Sequence, residues 1–207
     1  PALQGRWGAG FRIVLAFPAL LLAAFMSGRG DGTAGVLLVV GFLGWFAVLV
    51  RGAMPRGLRD FGLYALGYGA QTYGYLLLLT DRYPSSDPQL VRPAVLPEHP
   101  VAIRLSGPLE QSRLVVFFRL LLLLPHIVWL LLWSVAVVFV EIVAWLAALV
   151  VGRVPTPLWR FLAAYVRYTA HLSAFGYMVG GQFPGFTGTR GSYPVDRQRM
   201  LGELVAS

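Results

Sequence analysis

The chain contains no cysteine and no lysine. The first absence excludes disulfides, thiolate metal sites and iron–sulfur clusters, and leaves the redox compartment unmarked. Charge of either sign is scarce, at 13% of 207 residues, while 57% are hydrophobic and mean hydropathy is +0.67. Those values lie outside the range of soluble domains and inside that of integral membrane proteins. Missing too are a Gly-rich phosphate loop, a nucleophile elbow, a metal-ligand pattern and paired catalytic carboxylates. The basic residues are not interleaved as a nucleic-acid surface. With three histidines, His99 in a linker and His171 in an interfacial segment, no bis-histidine haem site is expected. The expectation is therefore a polytopic protein of the cell membrane that is not an enzyme, holds no cofactor or metal and binds no nucleic acid.

What the chain does have is arginine. Seventeen basic residues against nine acids give a net charge of +8, which attracts anionic lipid. Codon bias explains an all-arginine set as readily as selection for bidentate contact with phosphate or carboxylate does. It also has a 38-residue run from Leu114 to Val151 whose only ionisable residues are Arg119, His126 and Glu141. As one helix the run would reach roughly 57 Å, against a hydrocarbon thickness of about 30 Å. A fold back into a hairpin, or departure from the membrane, is the expectation.

An internal duplication bears on this. Pro1, Gln4, Arg6, Phe11, Arg12 and Pro18 recur as Pro108, Gln111, Arg113, Phe118, Arg119 and Pro125, each displaced by 107. Trp45, Gly52, Pro55, Leu58, Phe61, Tyr68 and Pro84 recur as Trp145, Gly152, Pro155, Leu158, Phe161, Tyr168 and Pro184, displaced by 100. The seven extra residues of copy one fall at its polar tract, 27–33, a turn by composition. Because Arg6, Arg12 and the apolar residues after them repeat internally, they are read as a mature helix and not as a signal peptide.

The boundaries follow: a first membrane repeat at 1–84, a Pro-rich linker with a short strand (101–105) at 85–107, a second repeat at 108–184, and a polar tail at 185–207 that carries a possible amphipathic helix from Asp196. Each repeat has a helix A (about 6–26 and 112–131), a helix B (about 35–51 and 136–152) and a segment C (about 57–80 and 157–180). A and B are expected to form a transmembrane hairpin, with the turn of copy two near Trp133-Ser134. Segment C is expected to lie in the interface, with Arg160, Arg167 and His171 on one stripe among aromatic residues and Asp60 and Gln71 on the stripe of copy one. With four spans, sixteen of seventeen arginines fall on one side, which predicts cytoplasmic termini and linker. The fold class is thus all-α, two tandem helical hairpins each followed by an amphipathic interfacial helix.

The motifs Pro100 to Glu110, Arg113, Pro125-His126, Gly152-Arg153 and Pro155, with Pro55 to Leu58, Asp60-Phe61 and Thr80-Asp-Arg-Tyr-Pro84 in copy one, resemble a prokaryotic membrane family catalogued as a domain of unknown function (DUF4389). Copy two departs at Thr156-Pro157, Arg160 and Gly181 to Pro184, and copy one has Pro18-Ala19 in place of Pro-His. The resemblance implies a small helical membrane protein, in two units, and no particular reaction.

Within that frame His126 and Glu141 stand out as ionisable groups deep in apolar helices, at depths where they could meet as an intramembrane pair that handles protons. The plainer alternative has Glu141 protonated or bonded to a neighbouring subunit and His126 capping a carbonyl freed by Pro125. Arg6, Arg12, Arg113 and Arg119 are expected to snorkel to lipid phosphate. Gly35, Gly41 and Gly44 permit close helix contact. The functional expectation is an accessory or scaffold subunit of a larger membrane complex, with lipid and other membrane subunits as partners; a small transporter using His126 and Glu141 is the alternative.

Overall fold

Among the described residues six helices form where the apolar runs and their punctuation place them. They are α1 (Arg12–Ser27), α2 (Val36–Arg51), α3 (Arg56–Leu76), α4 (Arg113–Phe117), α5 (Arg119–Val151) and α6 (Thr156–Gly176). The computed structural model describes residues 10–27, 35–87, 110–181 and 183–188. The expected strand at 101–105, the tract 28–34, the tail helix from Asp196 and Arg6 lie outside the described residues. The repeated Gly-x-x-Pro signal explains two helix ends in each copy. Gly52 and Gly152 adopt the left-handed conformation (φ 76° and 73°) that glycine accepts without steric cost. Their N–H groups close on the carbonyls of Val48 and Ala148, and Pro55 and Pro155 open α3 and α6.

Helices A and B do not form hairpins. In copy two they are one helix, the 33-residue α5, which passes without interruption through Trp133 and Ser134. Ser134 turns its hydroxyl back onto the Leu131 carbonyl at 2.7 Å, a contact within one helical turn. After Pro125, near its start, α5 holds no glycine or proline that would break it. The four-span arrangement fails with the hairpins. Among the described residues only α5 is both long and apolar enough to cross a membrane; α1 and α2 are apolar but have 16 residues each, about 24 Å of helix.

In copy one α1 and α2 likewise run in one direction along α3. Arg12 contacts Tyr75, Ala19 and Ala23 pack on Tyr68, Leu37 clusters with Ala65 and Leu66, and Val48 shares a cluster with Leu58. Numbers rise on one side as they fall on the other. Copy two repeats the pattern, with Arg119 on Phe175, His126 on Tyr168, Trp133 on Tyr165, and Ala144 with Leu162. Each repeat is thus a long rod lying antiparallel to its segment C.

The two C helices pack on each other, also antiparallel. Leu66 clusters with Ala174, Tyr73 packs against the cluster holding Val166, and Trp159 donates to the Leu79 carbonyl at 3.2 Å. Exchanging two antiparallel neighbours requires a pseudo-two-fold axis perpendicular to both helices. About that axis the copies interlock. Met178 of copy two enters the Val40, Val48 and Met54 cluster, while Leu77 and Leu78 of copy one enter that of Ala144, Ala148 and Val154. Leu78 and Met178 are the two positive-φ residues other than glycine among those described (φ 56° and 65°). Each follows the end of its C helix in a tight turn, Leu78 donating to Tyr75 and Met178 to Phe175. Gly44 makes room: a Cβ there would lie 2.7 Å from the Met54 sulfur and 3.2 Å from Met178 Cβ. Gly41 likewise faces Tyr177, so both glycines serve close packing within the bundle.

After each C helix the chain turns back over it as a strap, at 81–87 and 183–188. The Ser85 N–H donates to Gln71 Oε1, the Tyr64 hydroxyl donates to the Ser86 carbonyl, and Arg167 donates to the Gly188 carbonyl. Tyr64 and Gln71, seven residues apart, share one side of α3. Gly62, which faces Val40 of α2, points some 200° from Tyr64. The straps and the B segments therefore cover opposite faces of the α3–α6 layer. Segment C is the centre of the molecule and not a surface helix, with Tyr68, Gln71, Tyr168 and Leu172 buried. The sheath around it is apolar and open: Phe25, Leu120 and Val150 are 76%, 77% and 74% exposed.

A substitution at the second strap measures how tightly it seats. Gly188 has φ 57°, and a Cβ on it would overlap the Ala164 carbonyl and lie 2.9 Å from Tyr168 Cβ. Gly188→Ala is expected to destabilise by about 1–3 kcal/mol through overpacking, read as a lower unfolding midpoint in detergent.

Candidate functional site

Two buried arginines sit at equivalent places, one per copy. The first residue of the α1 rod, Arg12, and that of α5, Arg119, are 3% and 1% exposed. Arg12 donates to the Tyr75 carbonyl at 3.0 Å, Arg119 to the Phe175 carbonyl at 2.7 Å. Each guanidinium also lies over the ring of that same residue, 4.6 Å and 4.3 Å from the centroid, within cation–π range. An aromatic residue of the strap, Tyr83 or Phe183, packs edge-on against the ring. The second nitrogen differs between copies: Arg12 pairs with Asp81, whereas Arg119 donates to Gln111 Oε1 at 2.7 Å. These two arginines are therefore not lipid-phosphate anchors. Their charge is consumed inside the protein, holding the rod, the end of C and the strap together. Arg113 is exposed and donates to the Val50 carbonyl at 3.3 Å.

His126 is fully buried in an aromatic box on copy two alone. Its ring stacks on Phe186 (centroids 4.2 Å apart, planes at 8°) and meets the edge of Phe183 at 4.9 Å. Its Nδ1 and the Tyr168 hydroxyl are 2.8 Å apart, and that hydroxyl reaches the His126 carbonyl at 3.4 Å. The arrangement that uses both contacts has Nδ1–H donating to the phenol and the phenol donating to the carbonyl. Burial pushes the Tyr168 phenol up to about 12, so it keeps its proton. Trp129 adds a 2.9 Å bond to the Phe186 carbonyl. His126 thus fastens the second strap and does not cap a carbonyl freed by Pro125. Tyr168→Phe should destabilise by about 1–3 kcal/mol, because it strands a buried imidazole nitrogen; an unchanged unfolding midpoint would refute this role.

Glu141 lies elsewhere. It and His126 share one continuous helix, fifteen residues and about 22 Å apart, so they form no proton-handling pair. Glu141 Oε2 is buried with no hydrogen-bond partner among the described residues, and the charge it feels is Arg12 of the other copy. On the interfacial stripe Arg160 is exposed, while Arg167, which reaches the second strap, and His171 are half-buried. Between the C helices, on the pseudo-two-fold axis, is a cavity of about 90 Å³ lined by equivalent positions of both copies: Ala65 and Tyr165, Gly69 and Thr169, Tyr73 and Ser173. It is well below the volume of an organic-ligand pocket. No group of three or more potential metal ligands occurs among the described residues.

A family model described as Domain of unknown function (DUF4389) matches residues 6–86 and again residues 113–187. The chain belongs to that family, as two tandem copies. Comparison with curated proteins and with solved structures gives no match. The matched spans coincide with the structural units, each running from the rod to the strap. The DUF4389 motifs become legible as joints. In Thr80-Asp-Arg-Tyr-Pro84 the threonine hydroxyl accepts the Arg82 N–H at 3.1 Å, the aspartate takes Arg12, and the tyrosine packs on Tyr75, which together turn the strap back. The residues that sequence reasoning missed, Tyr75 and Phe175 with their strap partners, carry one signal. Gln4 and Gln111 precede the two arginines by the same eight residues, and a repeated polar residue at fixed distance from a repeated charge suggests a partner for it.

Proposed function

We propose that this DUF4389 protein is a non-catalytic membrane protein that acts as an accessory or scaffold subunit of a larger membrane complex. The observation that carries the reading is its surface. Phe, Leu, Ile and Val stand more than half exposed along α1, α2 and α5, a continuous apolar sheath far beyond the few hundred Å² that monomeric soluble proteins leave uncovered. Acyl chains and the apolar helices of partner subunits are its natural covering. At the ends of the bundle Arg51, Arg56 and Arg113, and Arg82, Arg153 and Arg160, are exposed where phosphate headgroups of anionic lipids would meet them. The transporter alternative has lost its His126–Glu141 pair, and no other observation favours it.

The test is purification from native membranes in mild detergent. The protein is expected to resist alkaline carbonate extraction and to co-purify with a partner in fixed stoichiometry. Recovery alone as a single species that moves solute when reconstituted would overturn the scaffold role.

A further inference from the structure

We propose that the protein lies within one leaflet, its helices parallel to the membrane plane and its pseudo-two-fold axis along the membrane normal. The layer formed by α2 and the C-terminal half of α5 is immersed in acyl chains, and the straps face water. This rests on the membrane reading above and fixes how the sheath meets lipid.

Three observations lead to it. The first is the asymmetry of the two faces. The helix face is built from α2, in which every residue from Val36 to Val50 is apolar, and from the C-terminal half of α5, with Val138, Phe139, Ile142, Val143 and Leu146 exposed. The opposite face carries the straps, irregular backbone in both copies; the first exposes Asp81, Arg82, Ser86 and Asp87 with Asp60 of α3 beside it, and the second exposes Thr187 together with Phe183 and Phe186. A two-fold axis perpendicular to the α3–α6 layer keeps each face on its own side, so both straps lie together. Irregular polar backbone is not stable against lipid.

The second is connectivity. Asp81 pairs with Arg12 at one end of the bundle, whereas Glu110 bridges Ala53 at the other, roughly the 31 Å length of α3 away. If the bundle axis followed the membrane normal, residues 82–109 would have to connect the two sides of the bilayer. That segment holds Arg82, Asp87, Arg92, Glu98, His99 and Arg104 and prolines at 84, 88, 93, 97, 100 and 108. It would carry those charges, on a sequence whose prolines preclude a long helix, past hydrocarbon, each unpaired group costing several kcal/mol. With the axis in the plane, Asp81 and Glu110 at its two ends lie on the same side of the bilayer.

The third is length. The apolar α5 is about 50 Å long, and fitting it to about 30 Å of hydrocarbon needs a tilt of roughly 53°, outside the usual 0–40° range. Lying flat it needs no fit, because one helix layer of about 10 Å is held within a leaflet of roughly 15 Å.

Because the natural chain has no cysteine, single cysteines report position directly. Gly57→Cys and Thr156→Cys mark exposed residues at opposite ends of the bundle, Ser86→Cys the strap face and Phe46→Cys the helix face; open space surrounds the Cβ position of Gly57. Right-side-out and inverted vesicles are treated with an impermeant maleimide. The expected result is that Gly57→Cys, Thr156→Cys and Ser86→Cys all react in the same one of the two preparations, while Phe46→Cys reacts in neither until detergent is added. Reaction of Gly57→Cys and Thr156→Cys in opposite preparations would show a bundle crossing the bilayer and overturn the proposal. The membrane scaffold reading would survive that outcome. Release of the full-length protein by carbonate would overturn both.

Discussion

Arg119→Ala is expected to lower the stability of the folded protein by about 3–5 kcal/mol, the largest loss from any single side-chain truncation considered. Three costs combine. The substitution empties the volume of a fully buried side chain, removes a cation over the Phe175 ring, leaves Gln111 Oε1 without its donor, and leaves the Phe175 carbonyl with the Met178 N–H alone. Arg12→Ala should cost less. Its ion-pair partner Asp81 has a side chain 40% exposed, so the freed carboxylate regains water and the pair is screened. Arg113→Ala, at an exposed position, is the control and should stay within about 0.5 kcal/mol of the parent. Far-UV circular dichroism during thermal unfolding in detergent reads all three. Arg119→Ala unfolding with Arg113→Ala would sink the account of a buried joint.

The second large effect is expected at Ser134. In a turn, proline there would be tolerated. Within the continuous α5 it removes a main-chain donor and sets its ring against the preceding turn, at a cost of about 3 kcal/mol or more. Ser134→Pro should therefore unfold markedly earlier than Ser134→Ala, which loses only the bond to the Leu131 carbonyl. Equal midpoints would restore the hairpin.

These two variants also mark where sequence reasoning succeeds and stops. Element type and most boundaries were legible, because Gly52 with Pro55 and Gly152 with Pro155 punctuate the chain with backbone conformations that few other residues supply. Segment C, expected at 57–80 and 157–180, forms at Arg56–Leu76 and Thr156–Gly176. The direction of the B helices was not legible. A run longer than a bilayer is thick suggests a fold back only if helices stand along the membrane normal, and nothing in Leu114 to Val151 encodes that assumption. The polar tract of copy one points the same way, because a tract that joins two helices running in one direction and a tract that turns a hairpin have the same composition. Burial of Arg12 and Arg119 was hidden for a related reason. An arginine at the mouth of an apolar helix suits both lipid phosphate and a protein carbonyl, and the choice depends on which aromatic ring the fold brings above it. His126 was rightly singled out as unusual, but its partners Phe183 and Phe186 lie nearly sixty residues away on a segment without periodicity.

The exchange of Leu78 and Met178 between the clusters of opposite copies has a consequence for assembly. Neither copy closes its own core, so half of this protein is an incomplete folding unit. The duplicated chain is in effect a tethered dimer, in which residues 88–109 replace a bimolecular encounter by an intramolecular one at high effective concentration. A chain carrying a single such repeat would have to find a second copy of itself to bury the same residues. Cutting the linker of this one should leave two fragments that stay associated, held by the interlocked ends alone.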